Sequence, residues 1–492
     1  MEGSGCNNMS KKKKDNDIIV SLIGGQSQDV TGSATLISYI DENSERKCIL
    51  CELGLIQGNN TILGEYRENK KMLEKIPYKD INYVFTIHGH IDHTGSLPTL
   101  ISNNYNGRII STYENKEILK RLLIDASYIH QKNIQYLKSK GHKVLPLYTD
   151  QDTYSLFDYM DTYEVGVTHK LDSMVSFKYI RNSHVVGATQ LELWIKKPNG
   201  QIKKILMTSD LGSKVNKEFQ YFLHDTEIVN KSNLVLIEST YGGKPSFSKQ
   251  DCINERREIK KLINEYVLVN RNRAFIPCFS YGRLQNQMCM IYEMFKDSWD
   301  MEIPIVVDTK LGNAMNDTYE KILEGKELEY WQEVKNWKAF KFIRDYKGSM
   351  AFLSKRQSAL ILSSSGMVSA GHSILYAQQI LSCSKDIMIF CGYCSPNTIG
   401  GKILNAEQRT VTIEGEVLLK RCRIERFNTF SSHAQEDDLI NYIKSINCDK
   451  IILHHGNKEC KDALKERVIN ELRRINKTTP IICSVKDMQI KL

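Results

Sequence analysis

A short loop near position 90 carries three of the 12 histidines in this chain of 492 residues. It reads His88-Gly-His90-Ile-Asp92-His93 and follows the apolar run 81–87, whose β-branched and aromatic residues predict a strand. Imidazoles and a carboxylate at this density are the ligand set that zinc prefers. Because adjacent Asp92 and His93 point differently from His88 and His90, we predict two neighbouring metal ions with further ligands from elsewhere in the chain. A turn that binds no metal is disfavoured, since clustered loop histidines gain little from packing.

The length predicts more than one domain, because 492 residues exceed what a single hydrophobic core usually holds. A composition of 41% hydrophobic and 25% charged residues is typical of a globular protein. No apolar run reaches the ~20 residues of a membrane span, so no membrane partner is expected. Residues 1–16 are polar and include a run of four lysines, which predicts a disordered basic tail rather than a signal peptide. A nucleic-acid-binding arm is the less favoured alternative.

Charge and cysteine content bear on partners and compartment. The formal charge of +9 permits a polyanionic partner without demonstrating one. Thirteen cysteines, an odd number without regular spacing, indicate a reducing environment, and we expect a cytoplasmic protein. The pairs Cys48/Cys51 and Cys391/Cys394 lie in strand-like runs, where residues three apart point to opposite faces. Buried thiols are therefore favoured over a zinc knuckle or a redox pair.

The order of the predicted elements divides the chain into parts. Closely spaced strands before residue 55 predict an antiparallel start to a sheet. The stretch 97–136 is predicted to be helical, with a core-facing stripe formed by Ile118, Leu122, Ile124, Tyr128, Ile129 and Ile134. From residue 243 helices and strands alternate, which predicts a parallel, doubly wound α/β domain at 243–425. It would separate a first domain part at 17–242 from its C-terminal part at 426–492.

Several apolar strands of this pattern end in a histidine or an acidic residue. These residues are His184, Asp210, Glu238, His433 and His455. A lone histidine is usually structural, but the shared placement after strands, together with the dense loop, favours ligands aimed into one cleft. His454 stays ambiguous, because only one of two adjacent histidines can easily point into the same cleft.

In this order the motifs resemble those of the metallo-β-lactamase-fold ribonucleases that carry an inserted β-CASP domain. That family includes the cleavage-and-polyadenylation endonuclease, ribonuclease J and bacterial or archaeal relatives. The matching motifs are His88-x-His90-x-Asp92-His93, Asn182-Ser-His184, Ser209-Asp210-Leu-Gly212, Glu238-Ser-Thr-Tyr-Gly242, Phe430-Ser-Ser-His433 and His455-Gly456, with shorter matches at Thr31-Gly-Ser33, Leu55-Ile-Gln-Gly58, Gly282-Arg-Leu-Gln285 and Ser365-Gly-Met367. The resemblance covers about residues 17–492. It implies an α/β fold, an αββα sandwich with an inserted parallel α/β domain.

The resemblance also implies two zinc ions per chain, with manganese as the alternative metal. One ion would be held by His88, His90 and His184. The second would be held by Asp92, His93 and His455. Asp210 would bridge the two ions.

The implied reaction is hydrolysis of an RNA phosphodiester bond by attack of a metal-bound hydroxide, with Asp92, Glu238 and His433 as catalytic residues. His433, hydrogen-bonded to Glu238, would protonate the leaving oxygen as general acid. Family members that act on DNA usually replace the histidine at position 455, so single-stranded RNA is the expected substrate. The alternatives are a DNA nuclease on the same scaffold and a catalytically degenerate RNA-binding or scaffold protein. Internal or 5′-end cleavage and homodimer formation are left open.

Two positions need separate mention. Glu52 stands where the family usually has aspartate, and one extra methylene displaces a carboxylate that is expected to orient the metal loop. Ser365 and Gly366 are predicted to open a helix after a buried strand and to offer backbone amides to a phosphate. An ordinary serine-rich helix cap is the alternative for that motif.

Overall fold

The computed structural model describes residues 17–25, 28–58 and 61–492 of the chain. The predicted basic tail at 1–16 lies outside the described residues. Within those residues, no helix combines the length and the apolar character needed to cross a membrane.

The first half of the chain supplies most strands of two sheets. Up to residue 162 the elements are β1 (Ile19–Leu22), β2 (Thr35–Ile40), β3 (Arg46–Cys51), α1 (Ile62–Leu73), β4 (Ile81–Phe85), α2 (Ile91–Thr94), α3 (Thr99–Ser102), β5 (Arg108–Ser111), α4 (Tyr113–Ser139), α5 (Asp150–Leu156) and β6 (Met160–Thr162). Next come β7 (Thr168–Lys170), β8 (Val175–Arg181), β9 (Thr189–Lys196), β10 (Ile202–Met207), α6 (Lys214–Lys217), β11 (Lys231–Ser232) and β12 (Leu234–Glu238).

The second half alternates helices and strands before it returns to the first sheets. Its first elements are α7 (Lys249–Ile263), β13 (Arg273–Pro277), α8 (Arg283–Phe295), β14 (Ile305–Asp308), α9 (Lys310–Ile322), α10 (Gly325–Lys335), β15 (Phe340–Ile343), α11 (Tyr346–Lys355), β16 (Ala359–Ser363), α12 (Ser373–Leu381), β17 (Ile387–Cys391), α13 (Ile399–Leu404), β18 (Thr410–Ile413), β19 (Glu416–Leu419) and β20 (Arg423–Phe427). The last are α14 (Glu436–Ser445), β21 (Asn447–Cys448), β22 (Ile451–His454), α15 (Lys458–Arg474), β23 (Ile481–Cys483) and β24 (Gln489–Lys491).

Two seven-stranded sheets pack face to face. Their strand orders are β24-β1-β2-β3-β4-β5-β6 and β23-β22-β12-β10-β9-β8-β7. Alternate strand residues such as Ile49, Phe85, Phe177 and Leu236 point inward and form one apolar core between the sheets. Helices α3 and α4 cover the outer face of the first sheet, and α14 and α15 cover that of the second. The predicted αββα sandwich is therefore confirmed.

The start of the first sheet follows the sequence prediction. Strands β1, β2 and β3 pair antiparallel. Cys51 faces the core between the sheets, whereas Cys48 faces the helical layer, as expected for strand residues three apart. Cys391 and Cys394 are also buried free thiols, so neither pair has the exposure of a redox site.

The inserted part contains a six-stranded parallel sheet with the order β15-β14-β16-β13-β17-β20. Helices pack on both of its faces. Met288 of α8 and Met315 of α9 lie on one face, and Tyr376 of α12 lies on the other. This is the doubly wound arrangement that the alternating pattern predicted. Because β20 ends at residue 427, we propose that the inserted domain is the predicted 243–425 extended by these last two residues.

The chain after β20 completes the sandwich rather than forming a separate unit. Strand β22 pairs parallel with β12 in the second sheet, and β24 pairs antiparallel with β1 in the first. This return brings the C-terminal histidines to the same sheet edge as the residues that follow β10 and β12.

One prediction for the stretch 97–136 is wrong, because β5 interrupts it. The short run at 108–111 holds two isoleucines that are fully buried. It pairs parallel with β4 and β6, so burial in the first sheet overrides the helical periodicity of its neighbours.

The predicted core stripe of α4 is correct only in part. Ile118, Leu122 and Ile134 are buried, but Tyr128 is 57% and Ile129 is 45% exposed. The reason lies in the length of the helix. Its ion pair and its hydrogen bond with α9 lie in the first half, where Glu117 pairs with Lys321 and Arg121 Nε donates to Thr318 Oγ1, and Tyr128 and Ile129 come after them.

Candidate active site

The predicted ligand residues come together at one end of the sandwich, where strands of both sheets end. The loop 88–93 follows β4 of the first sheet. In the second sheet β10, β12 and β22 run parallel as neighbours, so their carboxyl ends meet at one edge. These ends carry Asp210, Glu238 and His455, and the end of β8 carries His184.

Four of these side chains form a first group of donor atoms. His88, His90, His184 and Asp210 each offer one atom within 4.8 Å of the others. His88 Nε2 and His184 Nε2 each lie 3.6 Å from Asp210 Oδ2. His184 Nε2 also lies 3.3 Å from His90 Nδ1.

A second group lies directly beside the first. Asp92, His93 and His455 again offer atoms within 4.8 Å of one another. The other oxygen of Asp210, Oδ1, lies 3.4 Å from His93 Nε2 and 3.2 Å from His455 Nδ1. One carboxylate thus faces both groups, one oxygen to each.

The donor atoms are arranged in a way that favours binding of cations over hydrogen bonds with one another. His93 Nε2 and His455 Nε2 face each other at 3.1 Å, although one pair of nitrogens can share only one proton. Within the described part of the chain, the buried atoms His88 Nε2 and Asp210 Oδ1 have no hydrogen-bond partner. An unsatisfied buried polar atom costs about 1–3 kcal/mol. Ligation would satisfy these atoms, and imidazole with carboxylate is a donor set of zinc.

Glu52 contacts both groups from the side opposite Asp210. Its Oε2 lies 2.9 Å from His93 Nδ1, and its Oε1 lies 3.8 Å from His88 Nδ1. Contact at Nδ1 leaves the Nε2 atom of each ring facing Asp210. Burial alone would raise the pKa of Glu52, but His93 and His88 hold it well below its ordinary value. These are the contacts that orientation of the loop by an ionised carboxylate requires.

Two serine hydroxyls hold Glu52, and sequence reasoning gave neither of them this role. Ser33 Oγ donates to Oε2, and Ser209 Oγ donates to Oε1 at 2.6 Å. Ser209 Oγ also lies 3.0 Å from His88 Nδ1. Both serines stood inside matched motifs, but no local pattern shows that residues so distant in sequence meet at one carboxylate.

His433 lies at the edge of the cluster against Glu238. Its Nδ1 is 3.2 Å from Glu238 Oε2 and 3.9 Å from Asp210 Oδ2. Glu238 is fully buried and accepts the backbone N–H of Leu211. Burial favours the neutral ring of His433, but the charges of Glu238 and Asp210 outweigh this and raise its pKa to about 9.

The two adjacent histidines near the C-terminus separate as expected for neighbours at a strand end. His455, with a positive φ of 51°, turns toward Asp210, and its Nδ1 also lies 3.2 Å from Thr240 Oγ1. His454 stays in β22, is 3% exposed and, among the described residues, has no hydrogen-bond partner at either ring nitrogen.

The inserted domain places one aromatic ring at the cluster, which the sequence had not indicated. Tyr281 follows β13, its ring centre lies 5.2 Å from that of His90, and its hydroxyl donates to the carbonyl of Val186. The backbone of the donor loop at Gly89 packs tightly against Ile118 and the Tyr281 ring. A Cβ added to Gly89 would lie 2.8 Å from Ile118 Cγ2 and 3.5 Å from the Tyr281 ring, so any larger residue would have to displace Ile118.

The predicted helix start at Ser365 is wrong. Helix α12 begins at Ser373, and residues 364–372 form a loop after β16. The backbone N–H of Ser365 already donates to the carbonyl of Ala370, and its hydroxyl accepts from the N–H of Ser369. The side chain organises its own loop, and phosphate binding by Ser365 and Gly366 stays a prediction.

Two family models match parts of the chain. Residues 284–403 match the Beta-Casp domain, which falls in the inserted parallel sheet. Residues 419–480 match the Zn-dependent metallo-hydrolase RNA specificity domain, which includes His433 and His455.

Several characterised proteins are similar over most of the chain. Endoribonuclease ysh1 of Schizosaccharomyces pombe is 25% identical over 427 residues, 84% of this chain and 53% of the relative. Integrator complex subunit 11 of Gallus gallus is 24% identical over 455 residues, 91% of this chain and 70% of the relative. Ribonuclease TTHA0252 of Thermus thermophilus is 23% identical over 442 residues, 88% of this chain and 92% of the relative. The chain spans about half the length of the yeast relatives.

The sandwich, the inserted parallel sheet and the donor cluster at the strand ends together define the metallo-β-lactamase fold with an inserted β-CASP domain. Both family models agree with this class, one in the insert and one in the C-terminal part. The Beta-Casp match in the insert and the Zn-dependent metallo-hydrolase match in the C-terminal part bear out the resemblance that the order of the motifs predicted.

Proposed function

We propose that the protein is a di-zinc ribonuclease that hydrolyses phosphodiester bonds of single-stranded RNA. The observation that carries the proposal is the position of Asp210, whose two oxygens face two separate histidine groups beside the His433–Glu238 pair. The names of the similar proteins, which include an endoribonuclease and a ribonuclease, support RNA as the substrate.

The proposed ligands divide between the two groups. His88, His90 and His184 would hold one zinc, Asp92, His93 and His455 the other, and Asp210 both. Zinc ions bound there would make water more acidic and neutralise the charge of a phosphate. Among residues of the chain itself, Asn182 Nδ2 donates to the backbone carbonyl of Asp210 at 2.5 Å and so fixes the strand end that carries the shared carboxylate.

His433 is the proposed proton donor to the leaving oxygen. Glu238 contacts Nδ1 of this ring, which leaves Nε2 available toward substrate. The pKa of His433, raised to about 9, keeps a proton on the ring at neutral pH. A positioned general acid of this kind contributes about 10²–10⁴-fold to a rate.

His455 supports RNA rather than DNA as the substrate. Family members that act on DNA usually carry an apolar residue in this place. Here the imidazole is 2% exposed and lies within 3.2 Å of Asp210 Oδ1, so it is part of the donor cluster. A buried side chain with these contacts is the arrangement expected of a member that acts on RNA.

Cleavage of labelled single-stranded RNA by zinc-loaded protein tests the proposal. The His88→Ala/Asp92→Asn variant removes one donor from each group and is expected to lose both cleavage and bound zinc, from about two ions per chain. His169→Ala is the matched control, because this histidine lies on β7 and bonds to the Glu164 carbonyl outside the cluster. Equal cleavage by the double variant and the parent would refute the metal mechanism. Faster cleavage of a matched DNA would transfer the proposal to a DNA nuclease.

A circular RNA in the same assay separates two modes of action. A circle has no 5′ end, so its conversion to a linear product requires an internal cut. Persistence of the circle under conditions that degrade a linear RNA with a 5′ monophosphate would instead identify cleavage from the 5′ end.

A further inference from the structure

The second half of α4 carries an exposed row of alternating tyrosines and lysines. We call Tyr128, Lys132, Tyr136 and Lys140 the tyrosine–lysine ridge; each residue is four positions after the previous one, so they are neighbours on the helix surface. Lys132 Nζ lies 4.5 Å from the ring centre of Tyr128, and Lys140 Nζ lies 5.6 Å from that of Tyr136. The two tyrosines are 57% and 49% exposed.

Along the sequence, the segment that carries the ridge has charged residues of one sign. Residues 126–149 contain four lysines and neither aspartate nor glutamate. The ion pairs of α4 lie in its first half, where Glu117 contacts Lys120 and Lys321. In the region that the structure describes, the ridge lysines have no carboxylate partner. An exposed helix normally carries acidic and basic residues in alternation. A patch with unpaired cations attracts a polyanion.

A stabilising role within the helix does not account for this composition. Lysine–tyrosine contacts four residues apart contribute only a few tenths of a kcal/mol to a helix. Glutamate–lysine pairs would do so equally well without leaving aromatic rings in water. Exposed rings next to unpaired cations are instead the combination that binds single-stranded nucleic acid, because bases stack on the rings and phosphates meet the cations.

The helix that carries the ridge passes under the metal-donor loop. Ile118 of α4 lies directly under Gly89 of that loop, and Asn115 Nδ2 donates to the carbonyl of Ile87 at 3.0 Å. At ~1.5 Å per residue, Tyr128 lies about 15 Å and Lys140 about 33 Å further along the helix axis than Ile118. A strand leaving the donor cluster along α4 would therefore reach the ridge within a few nucleotides.

We propose that the tyrosine–lysine ridge is an RNA-binding surface that holds the substrate strand outside the catalytic cleft. This inference rests on the proposed ribonuclease function. The two tyrosines lie about 12 Å apart along the axis, the rise of roughly three to four stacked nucleotides at ~3.4 Å each. The ridge thus accommodates bases on both rings with the intervening phosphates beside the lysines.

Binding of oligouridine to the zinc-loaded His433→Ala protein, measured by fluorescence anisotropy, tests whether the ridge binds RNA. The RNA is recovered after the measurement to confirm that it is still intact. An oligonucleotide of about 20 residues should bind more tightly than one of about four, which is too short to span the cleft and both rings. Adding Tyr128→Ala/Tyr136→Ala should weaken binding of the longer RNA at least ~30-fold and abolish the advantage of length. Tyr128→Phe/Tyr136→Phe should restore the parental affinity, because the rings are kept.

The lysines are tested by the dependence of affinity on salt. Lys132→Gln/Lys140→Gln should lower the slope of log affinity against log salt by about 1.4, at ~0.7 per phosphate contact on a single strand. Lys170→Gln/Lys196→Gln is the matched control. It removes the same charge from exposed positions on β7 and β9, at the end of the second sheet away from His184. Its slope should equal that of the parent.

The outcomes separate the ridge from the proposed function. If the variant with both tyrosines changed to alanine still binds the longer RNA tightly, the ridge is not an RNA-binding surface. The ribonuclease proposal would be unaffected by that result. The tyrosine-to-alanine changes could instead abolish binding of a protein ligand and leave RNA binding unchanged. That result would identify the ridge as a protein-docking surface and would also overturn the inference. Failure of the His433→Ala protein to bind RNA of either length would overturn both proposals.

Discussion

Replacing Glu52 by the aspartate usual in this family should weaken the site. Glu52→Asp withdraws the carboxylate by about 1.5 Å, the length of one carbon–carbon bond. The 2.9 Å contact between Oε2 and His93 Nδ1 would then exceed the limit of a hydrogen bond. Losing one hydrogen bond to a charged group costs about 1.5–3 kcal/mol. Because Ser33 and Ser209 also hold this carboxylate, we expect a loss of about 10–100-fold in zinc affinity and in kcat/KM.

Competition with a chromogenic chelator gives the zinc affinity, and cleavage of labelled RNA gives kcat/KM. Glu52→Gln separates length from charge, since it keeps the chain length and replaces an ionised acceptor with a neutral amide. Glu45→Asp shortens an exposed glutamate on the turn before β3 and is the matched control, with both quantities expected at parental values. If Glu52→Asp binds zinc as tightly and cleaves as fast as the parent, the extra methylene does not set the contact with His93 and the reasoning is refuted.

Three further predictions concern other parts of the molecule. His433→Ala should lower kcat by about 10²–10⁴-fold while zinc content stays at the parental value; an unchanged rate would remove it as proton donor. The hydrogen bond with Asp308 raises the pKa of His372 above its ordinary value of 6.5. The stability that this pair contributes should therefore be full below pH 6.5 and disappear as pH rises through the folded pKa. Melting temperatures of the parent and His372→Gln across this range should converge at high pH, and a constant difference would contradict the assignment. Gly89→Ala should destabilise the protein by about 1–3 kcal/mol through overpacking, and an unchanged urea midpoint would contradict the tight contact at that loop.

The donor cluster could be anticipated because its chemistry is local in sequence. Four donors lie within six residues, and His184, Asp210 and His455 each follow an apolar strand. Such placement predicts a common edge when the strands are parallel neighbours. The contacts of Glu52 could not be anticipated in the same way. They depend on Ser33 and Ser209, whose hydroxyls reach one carboxylate from two different sheets.

The failures of sequence reasoning have a common physical cause. Strand β5 and the exposed end of α4 both lie in a stretch with helical periodicity, and periodicity reports an apolar face without saying what covers it. Ile110 is covered by the opposite sheet, so a strand results. Tyr128 is 57% exposed and comes after the contacts of α4 with α9 at Glu117 and Arg121, so a position of the predicted stripe is left in solvent. The helix predicted from Ser365 failed for a different reason, since that serine bonds within its own loop.

Helix α4 connects the three parts of the molecule on which function depends. Its first turns lie under the donor loop through the contact of Ile118 with Gly89. Its first half also contacts the inserted domain, where Arg121 Nε donates to Thr318 Oγ1 of α9 at 3.4 Å. Its last turns carry the tyrosine–lysine ridge. Because a continuous helix transmits a tilt along its whole length, any movement of the inserted domain that acts on α4 through α9 would displace the ridge and the donor loop together. RNA held on the ridge would therefore keep its alignment with the donor cluster while the inserted domain moves.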